Sequence, residues 1–487
     1  MKENAVYTQG SIGGTMIKTA FAMMAGTLAM SGYNIADTYF VGQLPGAEPL
    51  AAMGFTFPVV MLVGCVFHGL STGVMTTAAQ AIGGRKRKKA AKLISSGLLL
   101  VLVLSILIAG LGMTTTNHVF SLFGASGNTL EMTRGYMDIW YFGCATAALS
   151  MTGNSLLISV GNAKTASSLM VMGMLINVIL DPLFIFGFGP IPRLEIRGAA
   201  IATIISQLIT TLTMLWLLYH RQKLLRFDAI PVRQLKRAWG IMIRYAIPAS
   251  IGMLMMPIGS TIITRITAGF GDVAVAATAA AGRLEMVAFV FPMALGIGLM
   301  PMIGQNFGAR LYGRIRQCRR FAMGFAFCFL AVMAVVYFVF ADVLVRQFSN
   351  DKQVQEIMAL TMRIIPWGFG MIEIHRYAGF FFTGCGRPAV SAWLNGLRVI
   401  GLMIPFSLLA LYFNSLTGLF WARLGADVIA GAIGFILARR MTSQLPQDGE
   451  PPRLQPSGLA SVKKLLPQRL QPWAADQSEI DNRNSVQ

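Results

Sequence analysis

Long apolar runs separated by short polar or basic stretches dominate the chain, and they set its fold class. Bounded by charge, Gly or Pro, they fall at roughly 15–41, 53–81, 92–113, 136–160, 166–187, 198–220, 240–269, 280–307, 320–340, 359–384, 390–412 and 416–440. Each approaches or exceeds the about 20 residues that a helix needs to cross the hydrocarbon core of a bilayer. Outer-membrane-type strands would instead give segments of about ten residues with alternating polarity. The pattern predicts an all-α integral membrane protein with twelve membrane-spanning helices. The first run is longer than a cleavable leader core and leads into polar, helix-compatible sequence, so it is expected to remain as the first span.

Composition agrees with this reading. Of 487 residues, 55 % are hydrophobic and 12 % charged, against about 25 % charged in soluble domains, which excludes an ordinary soluble enzyme. The net charge of +20 would suit a nucleic-acid partner if it were spread over a surface, but it is concentrated in a few connecting loops. The clusters are residues 85–92, residues 221–244, and Arg310, Arg314, Arg316, Arg319 and Arg320. With twelve spans these loops share one side with both termini, and the opposite loops hold only Arg134, Arg193, Arg197, Arg346 and Lys352. This positive-inside bias predicts a multi-pass protein of the cytoplasmic (inner) cell membrane with both termini in the cytoplasm. Membrane lipids are its expected surroundings, and nucleic acid drops out as a partner. Cys65, Cys144, Cys318, Cys328 and Cys385 form no CxxC pair, and the four His stand apart, so neither a disulfide framework nor a zinc site is expected. Residues 441–487 are rich in Pro, Gln and charge, and a disordered cytoplasmic tail is expected there.

The chain repeats itself. Residues 46–85 overlay residues 271–310 without a gap, with identities at Gly46/Gly271, Ala51/Ala276, Ala52/Ala277, Met61/Met286, Leu70/Leu295, Gly73/Gly298, Met75/Met300, Gln80/Gln305, Gly83/Gly308 and Arg85/Arg310. The same offset aligns Gly161 with Gly386. Two six-span lobes follow, residues 1–220 and 240–440, joined by a cytoplasmic loop at 221–239. An even number of spans in each makes the repeat parallel, about an axis along the membrane normal, and such halves rock against each other around a central cavity.

A charged side chain at mid-bilayer costs at least about 2.5–3.5 kcal/mol, which makes acids within spans functional candidates. Asp37, Asp181, Glu285, Glu373 and Asp427 qualify. Arg283, Arg376 and Arg423 lie within four residues of Glu285, Glu373 and Asp427, whereas Asp37 and Asp181 have no basic residue that near. Tyr33 and Asn177 each precede one of these two acids by four positions, on the same helical face. Pro182 leaves the Val178 carbonyl without its usual donor. An unpaired acid in low dielectric suits a proton carrier, and carboxylate with amide and hydroxyl oxygen equally suits Na⁺. The 31 Met and 51 Gly read first as packing residues.

No phosphate loop, dinucleotide-binding glycine pattern, HExxH or nucleophile elbow is present. No catalytic residues and no cofactor are expected, and the energy source must be an ion gradient. The stretches YNIADTYFVGQL, TTAAQAIGG, NVILDPLFIFG, GAAIATIISQ, GRLE and PMIGQNFGA, in that order, make the chain resemble the multidrug and toxic compound extrusion (MATE) family from about residue 10 to 440. The resemblance implies two pseudo-symmetric six-helix bundles forming a V-shaped cavity, and H⁺- or Na⁺-driven antiport of organic cations and other small amphipathic compounds. It further implies a cation site of Asp37, Asn177, Asp181 and Thr203 in the amino-terminal lobe, with Tyr33, Tyr136 and Asn154 in its hydrogen-bond surroundings, as in one prokaryotic branch. Other branches use a glutamate in the seventh helix. Here that stretch, IPASIGMLMMPIGSTIITRIT, has no acid, which leaves Arg283, Glu285 and Glu373 as the candidates of the second lobe. Some members bend the first helix at a proline. Residues 15–41 have none, leaving Gly26 and Gly32 as the hinge.

The leading expectation is a monomeric cation-coupled multidrug exporter. A lipid-linked oligosaccharide flippase of the same superfamily would need a cationic cavity, for which Arg265, Arg283, Arg363, Arg376, Arg398 and Arg423 are available. A membrane-embedded enzyme or a passive channel is the third alternative.

Overall fold

The computed structural model describes residues 5–226 and 230–451. The first half contains α1 (Ile12–Gly42), α2 (Glu48–Gly83), α3 (Arg87–Leu122), α4 (Gly127–Phe142), α5 (Cys144–Ser159), α6 (Ala163–Phe186) and α7 (Ile196–Trp216). The second contains α8 (Val232–Ala268), α9 (Asp272–Gly308), α10 (Tyr312–Arg346), α11 (Lys352–Ile364), α12 (Phe369–Gly384), α13 (Pro388–Gly396), α14 (Ile404–Tyr412) and α15 (Leu416–Ser443). With α4–α5, α11–α12 and α13–α14 each read as one interrupted rod, twelve rods match the twelve apolar runs one for one. Among the described residues ten helices are long and apolar enough to cross a membrane. The other two rods are α1, whose last third carries Ser31, Tyr33, Asn34 and Asp37, and α4–α5, broken at Gly143. There the chain has no room for a side chain, because a Cβ on Gly143 would run into Ile204 of α7.

The rods outrun the predicted spans. α2 and α3 have 36 residues each, about 54 Å at 1.5 Å per residue, against about 30 Å of hydrocarbon. Hydropathy marks where lipid lies, and the helices continue past it. Two further breaks lie at prolines, although Pro58, Pro182, Pro248, Pro257, Pro292 and Pro301 sit inside continuous helices. The 3-10 turn Ile365–Gly368 between α11 and α12 contains Pro366, and the π-helical Leu397–Met403 between α13 and α14 precedes Pro405. In both places an amide is missing from the ladder.

Backbone stereochemistry reproduces the repeat. Gly46 and Gly271 have φ of +87° and +99°, and Gly161 and Gly386 have +86° and +88°. Arg85 and Arg310, at φ 57° and 59°, occupy the left-handed position that ends α2 and α9, a conformation costing a non-glycine residue about 1 kcal/mol.

By compactness the chain forms two units. One comprises the chain up to Thr261 with Ala279–Ala309, and the other Ile262–Thr278 with the chain from Arg310 onward. α8 and α9 therefore contribute to both. Within the first unit the start of α8 lies directly on α2, since a Cβ on Gly69 would meet Ser250 and Ala246, and one on Gly73 would meet the Met242 carbonyl.

The described chain beyond α15 is not free. Arg310 Nη1 donates to the Gly449 carbonyl (3.1 Å), the Gly449 amide returns to the Arg310 carbonyl (3.0 Å), and Arg316 Nη2 donates to the Pro446 carbonyl (3.2 Å). Asp448 Oδ1 accepts from the Gly313 amide at 2.7 Å, so a carboxylate satisfies a donor in the first turn of α10. Through Pro451 the expected unstructured tail is thus a structured return strand of coil. Residues 452–487, and 227–229 of the expected inter-lobe loop, lie outside the described residues.

Candidate functional site

Two helices packed along each other, α1 and α6, carry the lone acids. α1 lies along α6, with Gly26 and Gly32 as points of close approach: a Cβ on Gly26 would come within 2.8 Å of Met170 Sδ, and one on Gly32 within 3.0 Å of Met174 Sδ. α1 is one unbroken helix, so these glycines serve as contact residues in this structure. α7 is held against α6 by a tight return, in which the Leu194 and Glu195 amides donate to the Phe184 and Ile185 carbonyls (both 3.0 Å). Gly198 has no space for a Cβ beneath Phe184. This hairpin sets Thr203 of α7 opposite the last turns of α6.

Asp37, Asn177 and Asp181 form one group. The two carboxyls lie close enough to act on each other electrostatically. Asn177 Nδ2 donates to Asp181 Oδ1 at 3.2 Å. Tyr33 OH donates to Thr203 Oγ1 at 2.7 Å. Tyr33 and Tyr136 are both close enough for the two acids to act on them electrostatically. Asp37 is 6 % exposed and Asp181 0 %. In and beside this group four buried oxygens have no hydrogen-bond partner: Asp37 Oδ1, Asn177 Oδ1, Asp181 Oδ2 and Asn154 Oδ1; elsewhere among the described residues the same holds for both Glu373 oxygens, Thr76 Oγ1 and Ser407 Oγ. The structure thus brings Asp37, Asn177, Asp181, Tyr33, Thr203 and Tyr136 together. Asn154, on α5, makes no hydrogen bond to the pair. Among the described residues no Lys or Arg forms an ion pair with Asp37 or Asp181. A buried carboxylate without a fixed counter-charge needs a proton or a cation, and the orphaned oxygens are hard ligands of the kind that either would use.

The acids of the second half are built differently. Glu373 of α12 is completely buried and sits 3.1 Å from Arg376 Nη1. Asp427 of α15 accepts from Arg398 at 2.7 Å, a residue of the π-helical segment before α14. His375 and Asn395 lie side by side at 3.1 Å. Glu285 is buried and Arg283 exposed, in the first compact unit, whereas Glu373 belongs to the second. Sequence spacing missed Arg398 because its carboxylate lies on another rod. The one available signal was that an Arg in an apolar run needs a buried anion.

Known proteins share both sequence and fold with this chain. The MatE family pattern matches residues 22–183 and again 248–409, one match in each half of the repeat. The chain is 33 % identical over 441 residues to a protein of Shewanella oneidensis named FAD transporter, covering 91 % of this chain and 97 % of that one. It is 25 % identical over 449 residues to the multidrug export protein MepA of Staphylococcus haemolyticus, covering 91 % and 96 %. Among solved structures, the bent form of the Vibrio cholerae MATE transporter VcmN superposes with a TM-score of 0.84 at 28 % identity, over 92 % of this chain and all of that one. Twelve apolar rods, a duplicated half and a family pattern found once in each half make this chain a multi-pass membrane protein that belongs to the MATE family of transporters.

Proposed function

We propose that the chain is a cation-coupled antiporter that exports amphipathic organic compounds by alternating access, acting as a monomer with both termini in the cytoplasm. The observation that carries this reading is the buried Asp37–Asn177–Asp181 group, with three of its oxygens unpartnered and no ion-paired Lys or Arg. A H⁺ or Na⁺ arriving from outside loads the group, favours one facing state, and leaves on the other side. Coupling then follows from differential affinity of the two states for ion and substrate, which linkage makes reciprocal. One charge moving through 100 mV supplies about 2.3 kcal/mol, enough for roughly a 50-fold gradient of coupled solute. Tyr33 and Thr203 hold the α1 and α7 faces of the site in register.

Two observations narrow the substrate. Arg363, Arg376 and Arg398 are each committed to a carboxylate, at 2.7, 3.1 and 2.7 Å, which leaves fewer cations for a lipid-linked diphosphate and disfavours the flippase reading. The 33 % identity to a protein named FAD transporter puts flavin dinucleotides beside cationic dyes as substrates to test. The test is flux in proteoliposomes with Na⁺ and pH gradients imposed separately. The expected result is uphill movement of at least one of these compounds, driven by one ion and abolished in Asp37→Asn and Asp181→Asn. Gradient-independent flux would mark a channel, and full gradient-driven flux in both variants would remove the ion role of the pair.

A further inference from the structure

Ahead of α1, Val6–Thr8 form a single 3-10 turn, and the Tyr7 side chain is 1 % exposed. Such a lead-in segment has no helix ladder to hold it, so its burial depends on bonds from elsewhere. The Tyr7 amide donates to Gln305 Oε1 at 3.0 Å, and Asn306 Nδ2 donates to the Tyr7 carbonyl at 3.0 Å. Tyr7 OH donates to the Ile158 carbonyl at 3.1 Å, while Gln305 Nε2 donates to the Ser159 carbonyl at 2.7 Å. Ile158 and Ser159 end α5, where the last carbonyls of a helix lack intrahelical donors. Gln305 supplies one for Ser159, and Tyr7 adds a second donor to the Ile158 carbonyl beside the Gly161 amide (2.9 Å), so the turn ties the end of α9 to the end of α5. Burial keeps the Tyr7 phenol pKa above its ordinary value, so it remains a neutral donor. Val6 lies over Gly161, where a Cβ would approach Val6 Cβ to 2.8 Å.

The same end of α9 crosses α2 backbone to backbone. A Cβ on Gly83 would strike the Gln305 carbonyl, and a Cβ on Gly308 would strike the Gln80 carbonyl. A Cβ on Gly304 would lie 3.1 Å from Ala79 Cβ. Gly83 with Gly308 and Gln80 with Gln305 are the equivalent positions of the repeat, so each copy packs its glycine on the other copy's glutamine. Each glutamine also meets a tyrosine: Gln305 meets Tyr7, and Gln80 Nε2 lies 3.5 Å from Tyr245 OH of α8. Tyr245 is fixed within a helix, whereas Tyr7 hangs on a short coil whose Gly10 has φ +69°. Of the two, only Tyr7 can leave without unwinding a helix.

We infer that the Val6–Thr8 turn is a detachable latch, in which Tyr7 holds α9 to α5 and keeps the α2–α9 crossing shut at the basic end of the molecule. Release of Tyr7 is the step that frees this end to open. The inference rests on the alternating-access reading above, in which this end must open to load substrate.

Backbone hydrogen exchange of the full-length chain in lipid nanodiscs tests it. Tyr7→Phe removes the phenol bond alone and is expected to speed exchange in residues 79–84 and 303–308 about fivefold. Tyr7→Ala, which also empties the ring's site, is expected to speed it on the order of a hundredfold. α12 and α15 should exchange as in the unaltered chain, and a synthetic peptide of residues 1–11 should slow the Tyr7→Ala protein again. Unchanged exchange at both crossing segments in Tyr7→Ala would overturn the latch. So would a rise spread evenly over α12 and α15, since Tyr7 would then only support the fold. Failure of antiport itself is read separately, as absence of gradient-driven flux in the unaltered chain, and does not alter the exchange result.

Discussion

The two halves share a backbone plan and treat their buried acids in opposite ways. In the second half Asp427 and Glu373 each have an arginine, at 2.7 and 3.1 Å. In the first half Asp181 takes the Asn177 amide, and Asp37 and Asp181 have two tyrosines nearby and, among the described residues, no ion-paired arginine. A buried carboxylate beside a built-in cation has its charge compensated, as at Glu373, even though neither of its oxygens makes a hydrogen bond. One without it is compensated only when something mobile occupies the site. The duplicated scaffold therefore carries arginine-paired acids in one half and a pair of acids without a fixed cation in the other.

The largest test of this contrast removes the permanent cation. Arg398→Leu strands Asp427 and should cost about 3–5 kcal/mol of stability, read as a lowered thermal midpoint, with Asp427→Asn on the same background restoring most of it. Arg363→Leu, which breaks the exposed pair with Asp342, should cost about 0–1 kcal/mol. Equal losses from the two would erase the distinction. Next, Asp181→Asn should lower gradient-driven flux on the order of a hundredfold and leave the thermal midpoint unchanged or higher, because it removes a buried acid that has no fixed partner. A large drop in midpoint would mean that Asp181 is structural after all. Third, the shared scaffold should respond evenly: Gly83→Ala and Gly308→Ala should each cost about 1–3 kcal/mol and match one another, while Gly54→Ala and Gly324→Ala, with open space around them, stay within about 0.5 kcal/mol. Smallest, Thr203→Val deletes the Tyr33 bond and should weaken apparent ion affinity about threefold, the equivalent of about 0.6 kcal/mol for a hydrogen bond between membrane helices. Ion-dependent quenching of a bound dye reads it directly.

Much of this was legible in the residues because bilayer physics is coarse. Apolar runs place twelve rods, and a lone acid in such a run is conspicuous, so Asp37 and Asp181 stood out before any coordinates. Repeated Gly, Gln and Arg located the duplication, and their left-handed and close-contact roles explain why those residue types coincide. What stayed hidden depended on partners distant in sequence. Thr203 came only from family resemblance, since a threonine in an apolar helix is unremarkable. Arg423 is the basic residue nearest Asp427 along the chain, and only the packing of α15 against the π-helical segment reveals that Arg398 pairs with it. The break at Gly143 depends on the close approach of Ile204, a contact distant in sequence, whereas the break at Ile365–Gly368 has a visible signal in Pro366. Tyr7 sits outside every pattern, in a segment that follows no period.

The return of residues 446–450 onto the start of α10 bears on how this protein is handled at the bench. An affinity handle fused directly after Ser443 would delete the Asp448 carboxylate that caps α10, and would leave Arg310 and Arg316 without the carbonyls they hold. The harm would surface at the ninth rod, far along the chain from the splice, so the safe junction for a fusion lies beyond Pro451.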